Sequence, residues 1–272
     1  MNKETGVLYF SPTNTTKKIC KAIALGRGSK APQILDITLP KARAELMANP
    51  KAMMAAIDHL VVGIPVHSGK LPIQVLECLN AVEGYKKECT AIVAYGNRGY
   101  GIALSSLVEI LSKNGFKVAA AGAFIGQHSY SDIIPIAMGR PDKSDIAKAI
   151  KLGENSLDVD SWLSLRDIPD QIDTISSSEK YTALKPYFNV KKCVKCGQCA
   201  ENCPVGVLSP DTGTYLSRAA KKQCIGCMAC VGSCKKTAKS ARVNLIVKLV
   251  MQNMLKQASR ERKEPLMIVS EK

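Results

Sequence analysis

The sequence predicts an α/β fold, in which a doubly wound, mostly parallel sheet of five strands precedes a smaller C-terminal α+β domain. Two observations support this prediction. Short apolar segments alternate with helix-like segments over roughly the first 150 residues, and eight of the eleven cysteines fall in one later segment. The alternation indicates consecutive strand–helix units, whereas the cysteines indicate a second domain with its own chemistry.

The five predicted strands are short and apolar, and several are rich in β-branched residues. Strands of this kind are typical of a sheet that helices cover on both faces. They are predicted at residues 6–10, 33–39, 59–66, 89–95 and 117–124.

Helix-like segments separate these strands, and a fifth follows the last one. They are predicted at residues 15–26, 41–56, 72–81, 101–114 and 144–161. The fourth ends at Asn114–Gly115, a pair typical of a helix C-terminus. Five strand–helix units with this spacing fit the order 2-1-3-4-5, in which ligands bind beyond the carboxyl ends of the strands.

Composition divides the chain into four predicted parts. These are a first domain at residues 1–161, a polar linker at 162–184, a cysteine-rich domain at 185–240, and an amphipathic helix with a basic tail at 241–272. We expect the tail to fray. Five apolar residues share one face of the helix, and we expect that face to pack on the protein body: Val243, Ile246, Val247, Val250 and Met254.

The cysteine-rich domain holds two runs with the same C-x2-C-x2-C-x3-C spacing, 31 residues apart. Three cysteines spaced in this way wrap one [4Fe-4S] cube, and the fourth lies beyond a turn and serves the other cube. We therefore expect two crossed ligand sets. The first cluster takes Cys193, Cys196, Cys199 and Cys234, and the second takes Cys224, Cys227, Cys230 and Cys203.

This segment resembles the bacterial two-cluster ferredoxins. It departs from them at one place, because Pro204 follows the first run whereas Lys235 follows the second. That proline shapes a turn and is not a ligand. Two zinc sites or a disulfide-bonded knot are the alternative uses of eight cysteines. The remaining cysteines, Cys20, Cys78 and Cys89, are expected to be small buried apolar residues.

The loop after the first predicted strand, S-P-T-N-T-T-K-K, is rich in hydroxyl groups and opens a helix. Such a loop suits a phosphate group, and a helix-capping cluster is the alternative. The loop resembles the phosphate loop of the flavodoxins, although Asn14 stands where that family usually has glycine. The resemblance implies that the FMN phosphate is bound by Ser11, Thr13, Asn14, Thr15 and Thr16.

The loops after the third and fourth strands correspond to those that hold the flavin ring in flavodoxins. Their glycines let backbone amides approach a planar ring, on which aromatic side chains can stack. Simple glycine turns with packing tyrosines are the alternative. The predicted ring site comprises Pro65, Val66, His67, Ser68, Gly69, Tyr95, Gly96, Asn97, Arg98, Gly99 and Tyr100.

The loop after the fifth strand contains His128 and Tyr130. Near a flavin, they are candidate proton donors for the reduction of a substrate. An ordinary hydrogen-bonded loop histidine is the alternative.

The formal net charge of +15 is unevenly distributed. Residues 181–272 hold 17 of the 38 Lys and Arg residues but only 5 of the 23 Asp and Glu residues. Such a surface suits acidic redox partner proteins. Bound clusters and flavin phosphate carry negative charge and lower the net positive charge of the loaded protein, so we do not expect nucleic acid as a partner. No apolar run approaches the ~20 residues of a membrane span, so a soluble cytoplasmic protein is expected.

Taken whole, the chain resembles the flavodoxin–ferredoxin fusion proteins found largely in anaerobes. The resemblance implies two [4Fe-4S] clusters and FMN but no substrate. We predict electron transfer between the clusters and FMN. One alternative is an FMN-dependent reductase of a small molecule that the clusters supply with electrons. Another is a sensor, or a binder of nucleic acid or membrane surfaces, that uses the basic C-terminal region.

Overall fold

The computed structural model describes residues 4–171 and 184–271. Much of the predicted linker, including its SSSE stretch, lies outside the described residues. The strands are β1 (Thr5–Tyr9), β2 (Gln33–Asp36), β3 (His59–Pro65), β4 (Glu88–Tyr95), β5 (Lys117–Ile125), β6 (Tyr187–Phe188), β7 (Lys239–Ser240) and β8 (Leu266–Val269). The helices are α1 (Thr15–Gly26), α2 (Pro40–Ala48), α3 (Pro50–Met54), α4 (Ile73–Ala81), α5 (Ala103–Lys113), α6 (Lys143–Asn155), α7 (Gln198–Glu201), α8 (Arg218–Gln223), α9 (Ala229–Gly232), α10 (Leu245–Met254) and α11 (Lys256–Arg260).

The main sheet has the order β2-β1-β3-β4-β5-β8. Its first five strands pair in parallel, so the predicted fold class and the order 2-1-3-4-5 are confirmed. Helices α1 and α6 cover one face of the sheet, and α2, α4 and α5 cover the other. Strand order reverses between β1 and β3, which is where a sheet of this kind opens a crevice for ligands.

The predicted helix at 41–56 is two helices. Asn49 separates α2 from α3, and its side chain accepts a hydrogen bond from the backbone N–H of Ala52. Pro50 has no N–H to continue the ladder of α2, so the chain restarts as a new helix.

The prediction of a frayed tail is wrong. Strand β8 pairs antiparallel with β5, and the Ser270 N–H donates to the carbonyl of Ala119. The short apolar run of β8 covers the edge that β5 would otherwise leave unpaired. The C-terminal segment thereby returns to the first domain and makes a sixth strand of its sheet.

Helix α10 and its flanks pack on the protein body through a stripe that shares only Val243 and Val247 with the predicted one. Those two residues are partly buried beside the buried Met251 and Leu255, whereas the predicted Ile246, Val250 and Met254 are exposed. Both stripes are apolar at helical spacing, so periodicity alone does not distinguish them. No helix in the described ranges is both long and apolar enough to cross a bilayer.

Candidate functional site

The hydroxyl-rich loop forms a tight turn into α1. Asn14 begins that helix with a left-handed backbone (φ 62°), and its N–H donates to the Ser11 carbonyl. The Ser11 hydroxyl accepts from the N–H of Lys17 at 3.0 Å. Asparagine tolerates this conformation better than most residues, so the turn forms without a glycine at position 14.

A cleft of 1120 Å³ opens at the carboxyl ends of β1, β3, β4 and β5. The first domain contributes loop residues from all four strands. Those among the predicted site residues are Thr13, Thr15, Thr16, Pro65, Val66, His67, Ser68, Tyr95, Gly96, His128 and Tyr130.

The other wall of the cleft comes from the cysteine-rich domain. Helix α8 and the loop after it supply three basic side chains and two cysteines, and Lys185 adds a further basic side chain from the segment before β6. The residues from α8 and its loop are Arg218, Lys221, Lys222, Cys224 and Cys227. The two domains therefore enclose one shared cleft, and the second cysteine run borders it directly.

Several predicted ring-site residues lie away from the cleft lining. The buried Asn97 amide donates instead to the carbonyls of Ala258 and Glu261, at 2.8 and 2.6 Å. The Tyr100 hydroxyl donates to the Pro169 carbonyl, and its ring packs against Tyr95. Gly69, Arg98 and Gly99 are likewise not part of the lining, and neither are Ser11 and Asn14.

Contacts with the C-terminal segment explain why the residues of the loop after β4 lie away from the cleft. Lys263 donates from its ammonium to the Arg98 carbonyl, and Arg140 donates to the Lys263 carbonyl at 2.7 Å. Since Asn97 also binds this segment, the loop after β4 is occupied by the chain itself. Sequence reasoning missed these contacts because they join residues about 160 positions apart.

His128 lies against Gly96 at the floor of the cleft. A methyl group on Gly96 would lie 2.3 Å from Cδ2 of His128, so only glycine fits there. Nδ1 of His128 accepts the backbone N–H of Tyr130 at 3.1 Å. The proton of the neutral ring therefore resides on Nε2, where it is available as a donor.

Burial keeps both cleft histidines neutral. It lowers the pKa of His67 to about 4, and burial together with the Arg98 charge lowers the pKa of His128 to about 4. At neutral pH each ring is therefore a hydrogen-bonding group without charge.

These lowered pKa values predict a loss of stability in acid. In the unfolded chain His67 and His128 take up protons near pH 6.5, whereas in the folded chain they do so only near pH 4. Stability should therefore fall as the pH drops through this window. We expect the melting temperature of His67→Gln to decline less than that of the unmodified protein between about pH 6.5 and 5. Identical declines would contradict the assignment.

The two cysteine runs share one backbone conformation. Lys195 and Gly197 in the first run have positive φ angles, and so do Gly226 and Met228 at the matching positions of the second. In each run, these angles turn the chain once between the first and second cysteines and once between the second and third. Two equivalent loops around two similar groups require this.

The eight cysteines surround two cavities. The first cysteine cavity is lined by Cys193, Cys196, Cys199 and Cys234. The second cysteine cavity is lined by Cys203, Cys224, Cys227 and Cys230. Within the described part of the chain, no three His, Cys, Asp or Glu side chains converge to hold a single metal ion. The structure thus brings together the same two crossed sets that the spacing predicts.

Each cavity contains one buried hydroxyl group. The Ser233 hydroxyl in the first cavity has no hydrogen-bond partner among the described residues, and the Tyr215 hydroxyl in the second faces Cys224. Buried hydroxyls in proteins are normally satisfied. Cluster sulfurs accept such hydrogen bonds, which also set the reduction potential. Both hydroxyl groups therefore fit cavities that hold [4Fe-4S] clusters.

Lys239 places a positive charge within the cysteine domain. It is only 3% exposed, donates to the Gly213 carbonyl at 2.5 Å, and lies 3.9 Å from the centre of the Phe188 ring. Burial raises the pKa of Cys199, and raises that of Cys230 to about 12, while the Lys239 charge opposes both shifts. One ammonium group thus acts on thiols of both sets.

Comparison with known proteins agrees with this assignment. Residues 178–239 match the family model described as "4Fe-4S dicluster domain". An uncharacterized protein of Methanocaldococcus jannaschii is 36% identical over 61 residues, a stretch that covers 21% of this chain and 23% of that relative. The C-terminal region is thus a dicluster domain, and the site holds two [4Fe-4S] clusters.

Solved structures similar to this chain cover its N-terminal part. A flavodoxin from the domain Archaea is 20% identical with a TM-score of 0.39, over 56% of this chain and 94% of that chain. Rubredoxin:oxygen oxidoreductase of Desulfovibrio gigas is 17% identical with a TM-score of 0.42, over 57% of this chain but only 35% of that chain. The fold assignment comes from the observed strand order. The resemblance to flavodoxin–ferredoxin fusions is thereby confirmed at the level of architecture.

Proposed function

We propose that this flavodoxin-like domain, joined to a 4Fe-4S dicluster domain, transfers electrons between its two clusters and an FMN bound in the shared cleft. One observation carries the proposal: Cys224 and Cys227 line both the second cysteine cavity and that cleft. A cofactor in the cleft is therefore adjacent to the second cluster, and the fused domains keep the two at a high effective concentration.

The sheet side of the cleft suits the phosphate and the ring of FMN. Thr13, Thr15 and Thr16 line its end at the start of α1, where backbone N–H groups and the helix dipole favour an anion. Tyr95 and Gly96 line its floor. FMN supplies a centre that exchanges one or two electrons, whereas each cluster exchanges one.

The crossed ligand sets are part of the same proposal. Cys203 ends the first run but lines the second cavity, and Cys234 ends the second run but lines the first. Each cluster then ties both runs together, so the dicluster domain folds as one unit around its metal.

Acidic proteins are the proposed external partners, acting in the cytoplasm. Cys196 is exposed, and so are Lys195, Lys235 and Lys236 nearby in the first cavity lining. This positive surface steers acidic electron-transfer proteins toward the first cluster, which lies in the cavity that does not border the cleft.

The phosphate position can be tested with Thr13→Glu. A carboxylate on this exposed residue lies where the FMN phosphate would bind, so charge repulsion should weaken FMN binding by about 100-fold or more. Fluorescence quenching of FMN by the flavin-free protein measures the effect. Thr212→Glu, on an exposed turn of the dicluster domain, is the control. Unchanged affinity in Thr13→Glu would place the phosphate elsewhere.

An FMN-dependent reductase of a small molecule remains a second candidate. The cleft exceeds the roughly 300–1,000 Å³ of sites for drug-sized ligands, and His128, whose neutral ring carries its proton on Nε2, belongs to its lining. A reductase predicts that His128→Phe slows turnover of a substrate while electron passage between clusters and FMN persists. Pure electron transfer predicts no substrate turnover in either protein.

A further inference from the structure

The outward face of α10 is an apolar surface that no part of the described chain covers. Five large side chains on this helix are between 50% and 73% exposed. We call them the α10 stripe: Leu245, Ile246, Leu249, Val250 and Met254. Contiguous exposed apolar side chains of this kind mark an interaction surface rather than an ordinary monomer surface.

The α10 stripe lies in the most basic part of the chain. Between Asp211 and Glu261 the sequence contains ten Lys and Arg residues and no Asp or Glu. Arg242, Lys248 and Lys256 are exposed on or beside the helix. Charged residues next to the stripe along the helix are therefore all positive, and an apolar helix face with this kind of border has the composition of helices that lie in a membrane interface.

Charge and residue type select among possible occupants. A second copy would bring two acid-free basic surfaces together, so like charges would oppose self-association. Protein interfaces favour Tyr, Trp and Arg at their centres and are depleted in Lys, whereas the stripe has no aromatic side chain and is bordered by Lys248. Anionic lipid headgroups match the lysines, whose stems can extend along the apolar surface.

We propose that α10 docks this protein on the surface of an anionic lipid bilayer. The stripe enters the interface between headgroups and acyl chains, and the flanking cations contact the headgroups. The opposite side of α10 packs through Met251 and Leu255 in a cluster that includes Met228 and Tyr130. Docking would therefore place the bilayer next to α10, and α10 itself packs on residues of both domains. This inference is independent of the proposed electron-transfer function.

Vesicle flotation of the full-length protein, purified with its cofactors in the absence of oxygen, tests the proposal. Phosphatidylglycerol-containing vesicles should carry the protein upward, and phosphatidylcholine vesicles should carry much less of it. The double variant Ile246→Gln/Leu249→Gln should bind the anionic vesicles at least about tenfold more weakly. Lys248→Glu should weaken binding by about fivefold or more and reduce its dependence on salt.

Leu165→Gln, another exposed apolar residue far along the chain from α10, is the matched control and should bind as the unmodified protein does. Iron content and visible absorbance report whether each variant is folded. The proposal is overturned if the protein ignores anionic vesicles, or if the α10 variants bind them as well as the control does. It is also overturned if the unmodified protein forms a dimer in sedimentation experiments that the α10 variants abolish.

Discussion

Replacing Cys227 by alanine should halve the iron content, from about eight to about four atoms per chain, while FMN remains bound. Cys227 lines both the second cysteine cavity and the cleft, and burial holds the pKa of its free thiol at about 12. Such a thiol stays protonated at neutral pH unless a metal takes the place of its proton. Replacing Cys227 removes one of the four proposed ligands of the second cluster. That cluster should be lost, while the loops of the first domain stay undisturbed.

The same variant should interrupt electron passage. With the second cluster absent, the first cluster remains but its cavity does not border the cleft. Reduction of FMN by a donor that acts on the clusters should slow by several orders of magnitude in stopped-flow measurements.

Two matched variants serve as controls for Cys227→Ala. Cys196→Ala should also lose half the iron but keep rapid exchange between the second cluster and FMN, because Cys196 belongs to the other cavity. Cys78→Ala, at a buried cysteine outside both runs, should keep all the iron. Full iron content in Cys227→Ala would refute the ligand assignment, and equal slowing in both cluster variants would refute the order of the centres.

Lys239→Met should lower the reduction potentials of both clusters, by on the order of 50–100 mV. A reduced cluster is more negative than an oxidised one, so a nearby ammonium stabilises reduction. A unit charge at about 8 Å, through an effective dielectric constant of about 20, changes the free energy of reducing the cluster by about 2 kcal/mol. Lys239 is buried, and its charge acts on Cys199 in one set and Cys230 in the other.

Redox titration followed by EPR spectroscopy measures both potentials. Lys236→Met removes an exposed charge three positions away and should shift them much less, because solvent screens that charge. Methionine is similar in length to the lysine stem, so it fills most of the same buried space while it removes the ammonium group that lies over the Phe188 ring. Equal shifts in the two variants would show that the effect depends on net charge and not on the buried position.

Much of this architecture is predictable from local patterns. The five parallel strands and the cysteine loops depend on short-range periodicity and spacing, which are visible within ten or so residues. Asn14 is an example, since its left-handed backbone follows from its place in one turn. Equivalent backbone turns in the two cysteine runs likewise follow from their equal spacing.

The features that sequence patterns do not predict depend on distant contacts. Strand β8 is a four-residue run whose pairing partners in β5 lie about 145 positions earlier in the chain. Asn97 looks like a ring-binding residue until the C-terminal segment takes both of its N–H donors. Helix α10 has two apolar stripes, and only the packing of Met251 decides which is covered.

The chemical composition of the protein purified without oxygen tests the central claim most directly. Iron, acid-labile sulfide and extracted flavin should be measured on one preparation. We predict about eight iron atoms, about eight sulfides and one FMN per chain. Tightly bound zinc without sulfide would contradict the two clusters, and a denatured supernatant without flavin fluorescence would contradict FMN in the cleft.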